Sequence, residues 1–82
     1  MIDVLYFAWL RERIGAPKEL VETSAATVAD LVEELKARSE AHALAFSDVA
    51  AVRAAVDQEL VGFDAPIAGA REVAFFPPMT GG

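Results

Sequence analysis

Cysteine is absent from this chain of 82 residues, and histidine, tryptophan and tyrosine occur once each. Without thiols there is no disulfide framework, no thiolate metal site and no thiol nucleophile. A lone histidine, His42, set in an alanine-rich stretch with no second His or Cys beside it, reads as a surface or boundary residue, and no metal site is expected. Basic residues are scarce as well: 7 Lys and Arg stand against 13 Asp and Glu, a net charge of −6, which argues against nucleic acid as a partner. No apolar run is long enough to span a membrane, and Met1-Ile2-Asp3 opens in a strand-like pattern without a basic leader, so no membrane partner is expected and the cytoplasm is the expected compartment. The chain has no Gly-rich phosphate loop. Ser24, Ser39 and Ser47 lack the neighbours of a nucleophile elbow or triad, Glu33-Glu34 reads as a solvated helix face, and Tyr6 and Trp9 read as core or boundary residues. A domain of this length buries only about 60% of the surface of its unfolded chain, which leaves little room for an internal catalytic cleft.

What the chain does contain is a series of short, clearly punctuated elements. Ile2 to Phe7 alternates with the period of a strand, with Ile2, Val4 and Tyr6 on one face and Asp3, Leu5 and Phe7 on the other. Both faces are mostly apolar and Asp3 marks the second as the wetter, so Leu5 and Phe7 are candidates for a contact surface. Ala8 to Ile14 predicts a short helical turn ended by Gly15 and Pro17, followed by a strand at Glu19-Leu20-Val21. Thr27 is placed to cap a helix from about Val28 to Arg38 whose stripe Val28, Leu31, Val32, Leu35 packs on a sheet. Ala41 to Asp48 predicts a second short helix or turn that uses Leu44 and Phe46 to close the core. Val52 to Val56 and Glu59 to Val61 predict two strands around a tight turn at Asp57-Gln58, and Glu72 to Phe76 the last strand. Five short strands and one principal helix suit an open two-layer α+β fold rather than a doubly wound one.

The chain ends Phe75-Phe76-Pro77-Pro78-Met79-Thr80-Gly81-Gly82. Two prolines stop strand pairing, and two glycines leave a thin terminus whose one reactive group is the carboxylate of Gly82. Extended, the segment from Pro77 to Gly82 reaches roughly 20 Å, far enough to carry that carboxylate into a pocket on another protein. This ending, together with the opening strand Met1-Ile2-Asp3-Val4-Leu5-Tyr6-Phe7 and the segment Ala55-Val56-Asp57-Gln58, resembles the ubiquitin-like sulfur carriers, in particular the small subunits of molybdopterin synthase, which typically end in Pro-Pro-x-x-Gly-Gly. Met79 stands where that family commonly has valine, Asp57 where it has asparagine, and Ala70-Arg71 where an acidic turn is common.

The resemblance implies a β-grasp, a mixed sheet with one principal helix packed on one face, over residues 1–76, with 77–82 as a flexible tail. It implies that Gly82 is adenylated by a partner enzyme at the expense of ATP, converted to a thiocarboxylate with sulfur from a donor, and presented to a cyclic pyranopterin monophosphate held by the large subunit of the synthase. On this reading the chain binds no cofactor and is not catalytic alone. Gly81 supplies clearance, and Pro77, Pro78, Met79 and Thr80 supply reach. In the implied fold the first and last strands are parallel neighbours, which brings Phe7 and Arg11 near Phe76; by parity Phe7, Phe76, Leu5 and, from an adjacent strand, Leu60 form an apolar patch for the partner with Arg11 at its rim. Two other readings share the Gly-Gly ending: a carrier for thiamine or another sulfur pathway, and a protein modifier joined to lysines. Their products differ, being a thiazole in one case and an isopeptide conjugate in the other.

Overall fold

A computed structural model describes residues 1–78. The elements run β1 (Ile2–Tyr6), α1 (Trp9–Ile14), β2 (Lys18–Val21), α2 (Val28–Lys36), α3 (Glu40–Ala45), a 3₁₀ turn (Val49–Ala51), β3 (Arg53–Val56), β4 (Glu59–Val61) and β5 (Glu72–Phe76). The strands form one sheet in the order β2-β1-β5-β3-β4, in which β1 and β5 are parallel and every other pair is antiparallel. That is the β-grasp topology of ubiquitin, in which both chain ends contribute the central strands.

Local chemistry explains the element boundaries. Gly15 takes the left-handed conformation (φ 90°) and returns its N–H to the carbonyl of Arg11, closing α1 in a position that a side chain would strain. Thr27 Oγ1 accepts the N–H of Asp30 at 3.2 Å and caps α2, whose Val28, Leu31, Val32 and Leu35 are all buried. This helix stops at Lys36, before the expected Arg38, because Ser39 is needed elsewhere: it is extended (φ −163°) and caps α3 by accepting the N–H of His42. The expectation that Leu44 and Phe46 both close the core holds for Phe46 alone. His42, Ala45 and Phe46 share the buried face of α3 at helical spacing, which turns Leu44 outward, 60% exposed. Asp57 (φ 49°) and Gln58 (φ 72°) make the two-residue turn joining β3 to β4, both in the left-handed region that such a hairpin requires.

The core lies between the helices and one face of the sheet. Val4 and Tyr6 from β1, Val73 and Phe75 from β5 and Ala54 from β3 meet α2 and α3 there. Phe75 sits at its centre, edge-on to Phe46 at 5.0 Å between ring centroids and stacked with Tyr6 at 6.5 Å. No helix among the described residues is long and apolar enough to cross a membrane.

Candidate functional site

The opposite, outer face of the sheet carries no helix among the described residues, and strand register decides which side chains meet on it. Leu5 on β1 pairs with Lys18 of β2 on one side and Ala74 of β5 on the other; Ala74 pairs with Ala55 of β3, and Ala55 with Leu60 of β4. One row across the outer face therefore reads Lys18, Leu5, Ala74, Ala55, Leu60. One step further along the strands, Phe76 pairs with Arg53, and Phe7 donates its N–H to the carbonyl of Phe75 at 3.1 Å, which seats Phe7 beside the end of β5. Between these rows lies an open, apolar groove of about 450 Å³ lined by Phe7, Ala55, Gln58, Glu72, Ala74, Phe76 and Pro77. Two alanines in the centre, flanked by phenylalanines, make the depression: small side chains form the floor and large ones the walls.

Of the residues singled out from the sequence, Phe7, Phe76 and Pro77 line this groove together. Phe7 is 45% exposed and Phe76 half-buried, so both rings present surface that the described residues do not cover. Leu5, half-buried, and Leu60, 69% exposed, lie outside the groove lining but on the same face, one beside each of the floor alanines. Arg11 is exposed on α1, the element that follows β1 at the end of the sheet where β5 also finishes. Pro78 is half-buried just beyond the groove. Met79, Thr80, Gly81 and Gly82 lie outside the described residues. Of the groove floor, parity along the last strand places Ala74 on the same face as Glu72 and Phe76, as the structure has it, whereas Ala55 carries no chemical signal of its own and only parity along β3, combined with the right pairing, could have found it.

A second polar cluster lies on the far side of the sheet. Tyr6 Oη donates to Glu19 Oε1 at 2.8 Å, and His42 Nε2 lies 2.7 Å from the same oxygen. His42 Nδ1 lies 2.7 Å from Ser39 Oγ, and Arg38 Nη2 lies 3.9 Å from Glu19 Oε2. The expectation of a surface or boundary histidine is thereby corrected: His42 is buried, because Glu19 and Ser39 satisfy both ring nitrogens. Burial alone would raise the Glu19 carboxyl, but the hydrogen bonds from His42 and Tyr6 and the charges of His42 and Arg38 outweigh it and hold the group below its ordinary value. Burial, reinforced by Glu19, pushes the Tyr6 hydroxyl upward. Although Ser39, His42 and Glu19 fall in a row, Ser39 Oγ is engaged as the cap of α3, and the cluster clamps α3 to β1 and β2. No group of three or more His, Cys, Asp or Glu among the described residues could hold a metal ion.

Known proteins are similar to this chain over all or nearly all of their length. The molybdopterin synthase sulfur carrier subunit of Escherichia coli (strain K12) is 46% identical over 82 residues, covering 100% of both chains. Among solved structures, molybdopterin converting factor, subunit 1, of Pyrococcus furiosus superposes with a TM-score of 0.70 at 30% identity, covering 95% of this chain and 97% of that one. Small archaeal modifier protein 1 of Haloferax volcanii superposes with a TM-score of 0.72 at 22% identity, over 95% of this chain and 97% of that one, and shares the fold. With the ThiS family matching residues 4–82, essentially the entire β-grasp and its Gly-Gly ending, the chain belongs to the ThiS family.

Proposed function

We propose that this protein is the sulfur carrier subunit of molybdopterin synthase, with the carboxylate of Gly82 as its working group. The observation that carries the reading is the origin of the tail: Pro77, the first residue of the segment that ends in Gly81-Gly82, lines the edge of an uncovered apolar groove. The groove offers a partner a surface to grip, and the segment beyond it, roughly 20 Å when extended, enters that partner. Full-length likeness to a carrier of that name supports the same conclusion.

A carboxylate is a poor electrophile, since its charge is delocalised and oxide is not a leaving group. An adenylating enzyme removes this obstacle: a Gly82 oxygen attacks the α-phosphorus of ATP, pyrophosphate leaves, and the acyl carbon becomes a mixed anhydride. Sulfide (HS⁻) released by a sulfur donor then attacks that carbon and expels AMP, leaving a thiocarboxylate. The large subunit holds the cyclic pyranopterin monophosphate, and the thiocarboxylate sulfur attacks a side-chain carbon of it, forming a C–S bond as that carbon's C–O bond breaks and the oxygen leaves as water or on phosphate. Hydrolysis of the resulting thioester returns the carboxylate. A dithiolene contains two sulfurs and each tail carries one, so two loaded carriers are consumed per pterin. Throughout the cycle the described residues of the carrier do no chemistry; they dock and orient the tail. Gly81 has no Cβ to crowd the channel, and Pro77-Pro78 end the sheet pairing that would otherwise hold the tail against the domain.

The test is to incubate the protein with its adenylating enzyme, ATP and a sulfur donor, read the intact mass, and then add the large subunit and its pterin substrate. A sulfur-for-oxygen exchange at the C-terminus followed by molybdopterin formation is expected. Absence of the exchange, or a thiazole or an isopeptide-linked conjugate as the product, overturns the assignment.

A further inference from the structure

The outer face is not only apolar but electrically polarised along its strands. At the end away from the tail, Asp3 pairs with Glu72, and Asp57 lies beside them, its Oδ1 accepting the N–H groups of Arg71 and Glu72 at 2.9 and 3.0 Å. At the tail end the charges change sign: Arg53 pairs directly with Phe76, and Arg11 follows on α1. Both arginines are exposed, and among the described residues neither has a carboxylate within ion-pair distance. Arg53 is also held in place. Its Nη1 donates to the carbonyls of Ala50 at 3.1 Å and Val52 at 3.2 Å, which ties the guanidinium to the end of the 3₁₀ turn that leads into β3. That uses one nitrogen of a planar five-donor fork and leaves the others without an acceptor among the described residues. In a protein with a net charge of −6, a fixed and unpaired cation at the point where the tail departs calls for an explanation.

We propose that Arg53 is a specificity-determining contact for the large subunit, pairing with a carboxylate at the mouth of the pocket that receives the tail. The proposal rests on the sulfur-carrier reading. Reach decides the chemistry of the recognised group: the acyl terminus, fully extended, lies roughly 20 Å beyond Pro77, far past the span of one arginine side chain anchored next to Phe76. Arg53 therefore meets the protein rim of the pocket rather than a phosphate at the activated glycine. A carboxylate is the protein group that matches a guanidinium fork in charge and plane. The apolar groove alone is non-directional, so a flat face could dock in several rotations. A cation at the tail end and an excess of carboxylates at the other, where Asp3, Asp57 and Glu72 outnumber Arg71, favour the single orientation that sends the tail inward.

The experiment measures binding of the full-length carrier to the large subunit at low and high ionic strength for wild type, Arg53→Gln and Arg71→Gln, with thermal melts to verify the fold. Arg71→Gln makes the same change in net charge at the far end of the face. Arg53→Gln is expected to bind about five- to tenfold more weakly at low salt, with a gap to wild type that narrows as salt screens the pair, while Arg71→Gln binds like wild type. Equal binding of Arg53→Gln and wild type, or an equal loss in Arg71→Gln, overturns the role of Arg53. Failure of wild type itself to bind the large subunit would instead count against the sulfur-carrier reading, so the two failures are told apart.

Discussion

In the proposed reading, Gly82 and Gly81 concentrate the function in two residues without side chains, and their chemistry separates their roles. Deleting Gly82, or adding one residue after it, is expected to abolish sulfur transfer outright, because the activated carbonyl is then displaced from its place in the partner's pocket by a residue's length, about 3.5 Å. Single-turnover formation of molybdopterin with the large subunit checks this, and binding of the same variant should survive because the groove is untouched. Gly81→Ala is expected to be milder, slowing transfer through crowding by one Cβ while leaving adenylation measurable by pyrophosphate release. The candidates for these roles were readable from the sequence, since a terminal carboxylate behind two glycines is a chemical signature that needs no fold to interpret it.

Helix caps and clamps decide how firmly the scaffold presents the groove. Thr27→Ala removes the cap of α2 and is expected to cost about 1 kcal/mol, read as a lower denaturant midpoint with unchanged slope. The clamp on α3 predicts a pH dependence. Glu19 is held below its ordinary value of 4.5, so the unfolded chain binds the proton more readily than the folded one. The stabilisation is thus full above the unfolded value and lost as pH falls through the folded one. Glu19→Gln is expected to be roughly 1–2 kcal/mol less stable near neutral pH, and its deficit relative to wild type should shrink as the pH drops below 4.5, which urea titrations across that range would show. The clamp was not legible in the sequence: Tyr6, Glu19, Ser39 and His42 come from four separate stretches, and nothing in the spacing of one histidine reveals that a partner waits for each of its ring nitrogens.

For the molecule as a whole, the proposed function has the sheet divide stability from recognition: α2 and α3 cover one face, and the other meets the partner. Two adjacent residues of β5 test the division. Phe75→Ala removes the aromatic centre of the core and is expected to cost about 3–5 kcal/mol, a large drop in thermal midpoint. Phe76→Ala, one residue on, should leave the midpoint nearly unchanged and weaken large-subunit binding by about 2 kcal/mol, as should Phe7→Ala, measured by calorimetry. The sequence by itself determined the order of the five strands around the principal helix α2, the caps at Thr27 and Gly15, the two faces of β1 and the side-chain-free ending of the tail, because each depends on side-chain type and spacing within a few residues. Only the tertiary structure decided that Ala55 and Ala74 form the floor of a groove, that Arg53 stands next to Phe76, and that His42 is buried while Leu44 is not. The physical reason is that strand periodicity gives each residue a face but not a neighbour. Neighbours arise when β1 and β5, from opposite ends of the chain, pair in parallel at the centre of the sheet and β3 joins them in a fixed register.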